Sequence, residues 1–214
     1  MKVQVIVGSS RSSRQVGTLP GWIAESLERQ GTFEHVEILD LQQWALPFFD
    51  EDPTTMRTDP PYKSAVVREW NETIARADAY VVLTPEYNHG YPGVLKNAID
   101  SVYGSFAFRN KPVGFVGYSN GPIGASRAVE KLLPVVVELE MVPLRNSVLL
   151  RSFDATAADG RPDEPLAQVA LDILVDDLAW WTRLLSLGRE GGELEPGVLR
   201  FLRALQTERM AVGA

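Results

Sequence analysis

The run Gly8-Ser9-Ser10-Arg11-Ser12-Ser13-Arg14-Gln15-Val16-Gly17 gathers hydroxyls and two guanidinium groups between glycines, directly after the apolar residues 3–7. A phosphate monoester brings about two negative charges and many acceptor lone pairs, which N–H groups at a helix start, hydroxyls and arginines can meet. Ser9, Arg11, Ser13, Arg14, Gln15, Val16 and Gly17 are therefore candidate phosphate-binding residues. The run lacks the Gly-Lys-Ser/Thr ending of a triphosphate loop and the glycine spacing of a dinucleotide site, so it points to a mononucleotide. The same residues also suit a solvated turn between strand and helix.

A second run, Thr84-Pro85-Glu86-Tyr87-Asn88-His89-Gly90-Tyr91-Pro92-Gly93, follows the apolar residues 79–84. The prolines stiffen it, the glycines allow close backbone approach, and the tyrosines offer faces to a planar ring. Pro85, Glu86, Tyr87 and Asn88 become candidate ring contacts, against the alternative of a rigid turn whose tyrosines pack on the core. A third run, Gly117 to Gly124, adds Ser119, Asn120 and Gly121, although an ordinary turn reads the same way. His89 reads as a loop hydrogen-bonding residue, because His35 is the only other imidazole and cysteine is absent, which leaves no metal ligand set. Glu86 suits an acid or a specificity carboxylate, while Arg127 and Glu130 read as ion-paired surface or interface residues.

Positioning these runs together requires a particular architecture. β-Branched segments at 3–7, 34–39, 79–84, 113–118 and 142–149 alternate with helical periods, the pattern of a parallel sheet covered on both faces. Helices are expected around Trp22–Leu27, Tyr62–Ala77, Val94–Val102, Ala125–Val136 and Leu166–Leu185, with Pro134 distorting the fourth. The fold class is α/β: a three-layer, doubly wound, five-stranded parallel sheet in the order 2-1-3-4-5. In that order the ends of strands one and three flank the crevice where ligands settle. Residues 46–61 read as a long surface loop beside it. Residues 1–187 are expected to form the domain, and 188–214 an appendage with a short helix that is a candidate subunit contact.

A net charge of −7 and a pI near 5.0, without a basic patch, argue against nucleic acid and anionic membrane as partners. The absence of cysteine excludes disulfides, thiolate catalysis and iron–sulfur clusters, so redox chemistry would need an organic cofactor. No basic leader precedes the first strand and no long apolar stretch follows, so a cytoplasmic location is expected.

These runs resemble the NADPH-dependent FMN reductase family, a flavodoxin-like group that includes quinone, chromate and azo reductases. The resemblance rests on Gly8-Ser9-Ser10-Arg11, on Leu83 to Asn88, on Pro92-Gly93-Val94-Leu95-Lys96-Asn97-Ala98-Ile99-Asp100, and on Lys111-Pro112-Val113 leading to Gly124 and Arg127-Ala128. It covers about residues 1–150. The flavodoxin FMN site is itself the type case of the crevice rule. The family implies non-covalent FMN, with Ser9, Arg11 and the following backbone at the phosphate, Pro85 to Asn88 along the ring, and residues 119–121 on the other side. It further implies NADPH or NADH as electron donor, a small acceptor such as a quinone, flavin, azo compound or metal oxyanion, and a homodimer or homotetramer. Backbone N–H groups of Tyr87 and Asn88 would face N5 and O4 of the ring, and no side chain need act as a catalytic acid. Arg14 and Val16 stand where many members carry Ser and Asn, which suggests a different phosphate contact set. A flavodoxin-type electron carrier, holding FMN without oxidising NAD(P)H, is the alternative.

Overall fold

The computed structural model describes residues 1–50, 62–151 and 160–212. Its strands are β1 (Lys2–Val7), β2 (His35–Asp40), β3 (Ala79–Pro85), β4 (Pro112–Ser119) and β5 (Val142–Arg151). Its helices are α1 (Leu19–Gln30), α2 (Ala65–Ala75), α3 (Gly93–Asp100), α4 (Ser126–Glu138), α5 (Ala167–Glu190) and α6 (Gly197–Val212). All strand pairs are parallel and the order is β2-β1-β3-β4-β5, as expected from the sequence.

The three central strands are buried almost end to end, which is why they read as continuous apolar runs rather than alternating ones. Successive side chains still go to opposite faces. Val3, Val5, Val7, Val81, Leu83 and Val116 pack under α1 and α5, whereas Ile6, Tyr80, Val82, Val113 and Phe115 pack under α2, α3 and α4. Wholly buried side chains such as Trp70 and Phe115 each contribute roughly 1.5–3 kcal/mol of transfer free energy. The Trp70 indole N–H also donates to the Ala98 carbonyl at 2.7 Å, locking α2 onto α3.

Three elements depart from the expected bounds. α4 contains Pro134, as expected, and runs two residues past the expected Val136 to Glu138, with Leu133 and Val137 left on its exposed side. α5 runs to Glu190, so a boundary at 187 falls inside a helix. α6 extends to 16 residues where a short helix was expected. Of the 46–61 loop, residues 51–61 lie outside the described residues; its start is clipped to α3 by Asn97, whose Nδ2 donates to the Pro47 carbonyl and whose Oδ1 accepts from the Phe49 N–H, both at 2.8 Å. Among the described residues, no helix is long and apolar enough to cross a membrane.

Candidate functional site

The loops after β1, β3 and β4 meet because their strands are neighbours in the sheet. Gly8 extends the β1–β3 ladder by donating to the Leu83 carbonyl at 2.8 Å, and a Cβ there would lie 3.0 Å from Leu95 Cδ2. Glycine lets the first loop approach that closely. Ser9, the next residue, is fully buried, and its hydroxyl shares a 2.7 Å hydrogen bond with the Tyr87 hydroxyl, joining the first loop to the second.

Arg14 fastens this corner from the other side. Its guanidinium grips the Asp40 carboxylate at the end of β2 with two nitrogens and donates to the Ser9 carbonyl at 2.8 Å. Burial on its own would raise the Asp40 carboxyl, but the Arg14 hydrogen bond, the Gln42 N–H and the Arg14 charge hold it below its usual value. Arg14 borders the cavity, yet its charge is committed to a carboxylate. Arg11 is different: among the described residues it has no carboxylate partner. Its guanidinium carbon sits 5.7 Å from the Tyr87 ring centroid and its Nη2 lies 3.4 Å from the Ser13 hydroxyl.

The second loop is a tight turn. The Tyr87 N–H donates to the Gly90 carbonyl at 2.8 Å and the Gly90 N–H returns to Tyr87 at 3.0 Å. Asn88 and His89 both take positive φ, 48° and 68°, the sign pattern of a type I′ turn. The Tyr87 N–H is therefore spent inside the turn, not free for a ring as the sequence suggested. In the third loop the Gly121 N–H is likewise engaged, donating to the Ser119 hydroxyl at 3.1 Å.

The three loops enclose a cavity of about 310 Å³. Arg11, Ser13, Arg14, Gln15, Pro85, Glu86, Tyr87, Ser119 and Asn120 line it, with the Asn120 amide bonded to Gln15 Oε1 at 2.9 Å across the first and third loops. Ser9 lies beneath Tyr87, Asn88 occupies the turn and Gly121 follows the lining residues. Val16 is packed into the core and Gly17, at φ 46°, turns the chain into α1; neither lines the cavity.

Tyr118 lines the cavity and was not singled out in the sequence. Burial, with Tyr87 adding to it, pushes its hydroxyl well above the ordinary tyrosine range, so it stays protonated at neutral pH. A tyrosine next to the end of a strand that feeds a candidate loop was the available signal.

Glu86 also has a partner that sequence separation concealed. Its side chain is only 6% exposed and pairs through Oε1 with Arg127 in the first turn of α4. A cation at a helix start opposes the helix dipole, and the carboxylate offsets that repulsion. Arg127 also donates to His89 Nε2 at 2.6 Å, and Lys131 donates to the His89 carbonyl, so His89 is a hydrogen-bonding loop residue here. Glu86 Oε2 is buried with no donor. An acceptor so placed is costly unless something brings it an N–H or O–H.

A model of the NADPH-dependent FMN reductase family matches residues 1–155. An NAD(P)H-dependent FMN reductase of Schizosaccharomyces pombe is 36% identical over 140 residues, covering 65% of this chain and 68% of that protein. A 2-hydroxy-1,4-benzoquinone reductase of a Burkholderia species is 30% identical over 188 residues, 86% of this chain and 97% of the relative. Among solved structures, a flavoenzyme NAD(P)H:(acceptor) oxidoreductase from Paracoccus denitrificans superposes with a TM-score of 0.63 at 28% identity, covering 85% of this chain and 97% of its own. The matched segment runs past all three loops and through β5, and the chain belongs to the NADPH-dependent FMN reductase family of flavin-dependent oxidoreductases.

Proposed function

We propose that the cavity at the carboxyl ends of β1, β3 and β4 holds FMN with its phosphate toward Arg11 and Ser13 and its ring toward the Pro85–Asn88 turn, and that the chain passes reducing equivalents from NAD(P)H to a quinone-class acceptor. The observation carrying this reading is Arg11: in a chain of net charge −7, it is a cation on the cavity wall with no carboxylate partner among the described residues. An arginine so left is suited to an anion arriving from outside. Arg14, neutralised by Asp40, is assigned the task of fixing the Ser9 carbonyl, and through Ser9 the Tyr87 hydroxyl. The donor set fits the cofactor at its other end too, because a flavin ring carries an N–H and Glu86 Oε2 is a buried acceptor that lacks one.

When bound, FMN supplies the two-electron step, accepting hydride from the dihydronicotinamide and passing it to the acceptor. The residues of the chain bind and orient. Ser9 and Tyr87 hold the first and second loops together, Asn120 and Gln15 tie the first to the third, and the I′ turn sets the backbone against the ring. Tyr118 contributes a protonated hydroxyl at the cavity wall. A quinone as acceptor is supported by the Burkholderia relative, which aligns over nearly its whole length. The test is anaerobic addition of NADPH or NADH to the FMN-loaded chain, then of benzoquinone. Bleaching of the yellow colour followed by steady nicotinamide consumption is expected. A chain that binds FMN but is reduced by neither nicotinamide is an electron carrier, and the proposal is then wrong.

A further inference from the structure

The turn after β3 leans two ways. Its Tyr87 reaches back to Ser9 and Arg11, whereas its His89 meets α4. There Arg127 donates to His89 Nε2 at 2.6 Å and Lys131 donates to the His89 carbonyl. The Lys131 stem runs beside the turn, so that a Cβ on Gly90 would lie 3.8 Å from Lys131 Cδ. Arg127, Lys131 and His89 do not line the cavity assigned to FMN; Glu86 does, and its pairing with Arg127 joins that cavity to this corner.

The corner holds more donors than acceptors. Because a guanidinium only donates, His89 Nε2 accepts and the ring proton sits on Nδ1. Lys131 is exposed and, among the described residues, has that one carbonyl and no carboxylate as partner, which leaves it N–H groups to spare. Arg127 Nε is buried with no acceptor among them. Arg127 and Lys131 also stand at i and i+4 of α4, where like charges repel. Glu130, between them in sequence, lines the groove between α4 and β5 instead. On neighbouring segments, by contrast, Arg14, Lys96 and Arg151 are each paired with a carboxylate. A cationic corner left open in a chain of net charge −7 suits an anion from outside.

The single phosphate of FMN is assigned to Arg11 and Ser13, on the Tyr87 side of the turn. NADPH and NADH differ in one group, the phosphate monoester on the adenosine ribose, which brings about two negative charges. The chain has no glycine fingerprint to hold a dinucleotide elsewhere, so a nicotinamide laid on the flavin ring leaves its adenosine end along the cavity rim. We infer that Lys131, with Arg127 and the His89 Nδ1–H, receives the ribose 2′-phosphate of NADPH, and that this corner selects NADPH over NADH. The selection rests on the proposed function, whereas the phosphate contact is readable without electron transfer.

Calorimetric titration of the FMN-loaded chain with adenosine 2′,5′-bisphosphate and, separately, with adenosine 5′-monophosphate reads that contact. The bisphosphate should bind at least about 10-fold more tightly, as a charged hydrogen bond supplies. Arg127 also holds Glu86, so the exposed Lys131 is the position to vary. Lys131→Ala should remove most of the difference and Lys131→Arg should keep it, with native circular dichroism in both. Equal binding of the two nucleotides, or a preference that Lys131→Ala leaves in place, overturns the inference. In turnover, kcat/KM for NADPH should exceed that for NADH at least about 10-fold, and in Lys131→Ala the ratio should fall close to unity through a raised KM for NADPH. A parent chain that uses both nicotinamides equally overturns the inference and leaves the proposed function standing. A chain reduced by neither overturns the proposed function and the selection of NADPH with it.

Discussion

The two edges of the sheet treat charge in opposite ways. At the amino-terminal edge several buried or half-buried charges have internal partners: Arg189 donates to Asp78 at 2.9 Å and to the Asn110 carbonyl at 2.8 Å, Asp78 accepts from the Lys2 N–H at 2.9 Å, and Arg109 pairs with Glu140. Lys111, only 8% exposed, donates to the Ala75 carbonyl at 3.0 Å and lies 3.3 Å from the Tyr80 hydroxyl. At the carboxyl-terminal edge, beside the paired Arg14 and Arg127, Arg11 has no carboxylate partner among the described residues and Glu86 keeps an oxygen without a donor. One edge is finished by the fold itself; under the proposed function the other is completed by the bound cofactor. Stability should therefore respond to substitutions at the first, and cofactor affinity to substitutions at the second.

The largest expected effect lies at the finished edge. Burial, with the Arg189 charge added, lowers the Lys111 ammonium to about 8 from its usual 10.5. Between those values the unfolded chain keeps a proton that the folded chain has released, so stability should rise with pH across that window, by about 3 kcal/mol from this group. Urea unfolding at pH 7, 8, 9 and 10 measures it, and Lys111→Met should flatten the curve relative to the parent. Parallel curves would mean that the lysine is solvated.

At the open edge, Arg11→Ala should weaken FMN binding about 10- to 100-fold, the ~1.5–3 kcal/mol of a hydrogen bond to a charged group, and leave the urea midpoint of the FMN-free chain unchanged. Arg189→Ala should do the reverse, lowering stability by about 1–3 kcal/mol with FMN affinity intact. If both variants lose affinity and stability together, the division between the edges fails. The next effect is conformational. Asn88 at φ 48° should tolerate Gly, whereas Asn88→Val should destabilise the turn by about 1–2 kcal/mol, seen in thermal unfolding and in FMN affinity alike. The smallest concerns Tyr87→Phe, which removes the bond to Ser9 and should weaken FMN about 2- to 10-fold by ~0.5–1.5 kcal/mol. An unchanged affinity there would show that the hydroxyl does not position the loop.

The sheet was legible because its central strands are buried on both faces, so Val3–Val7, Ala79–Thr84 and Val113–Tyr118 announce themselves by composition alone. Strand order then brought the three loops together. The partners of their charges were hidden. Arg14 and Arg11 look alike in sequence, and only the fold brings Asp40, at the end of a different strand, to one and not the other. Arg127 meets Glu86 through the start of α4, a contact that no local spacing encodes. Val16 and Gly17 were drawn into the candidate site by adjacency, although burial in one and a turn in the other account for them. Pro134 lies inside α4, which extends past it to Glu138 with the solvent-facing Leu133 and Val137 nearby.

The central claim is that Arg11 holds the phosphate of the cofactor. Titrating the FMN-free chain with FMN and, separately, with riboflavin, which lacks only that phosphate, follows both affinities through flavin fluorescence. FMN should bind on the order of 100-fold more tightly, and Arg11→Ala should remove most of the difference. Equal affinities for the two flavins in the parent chain would contradict the account.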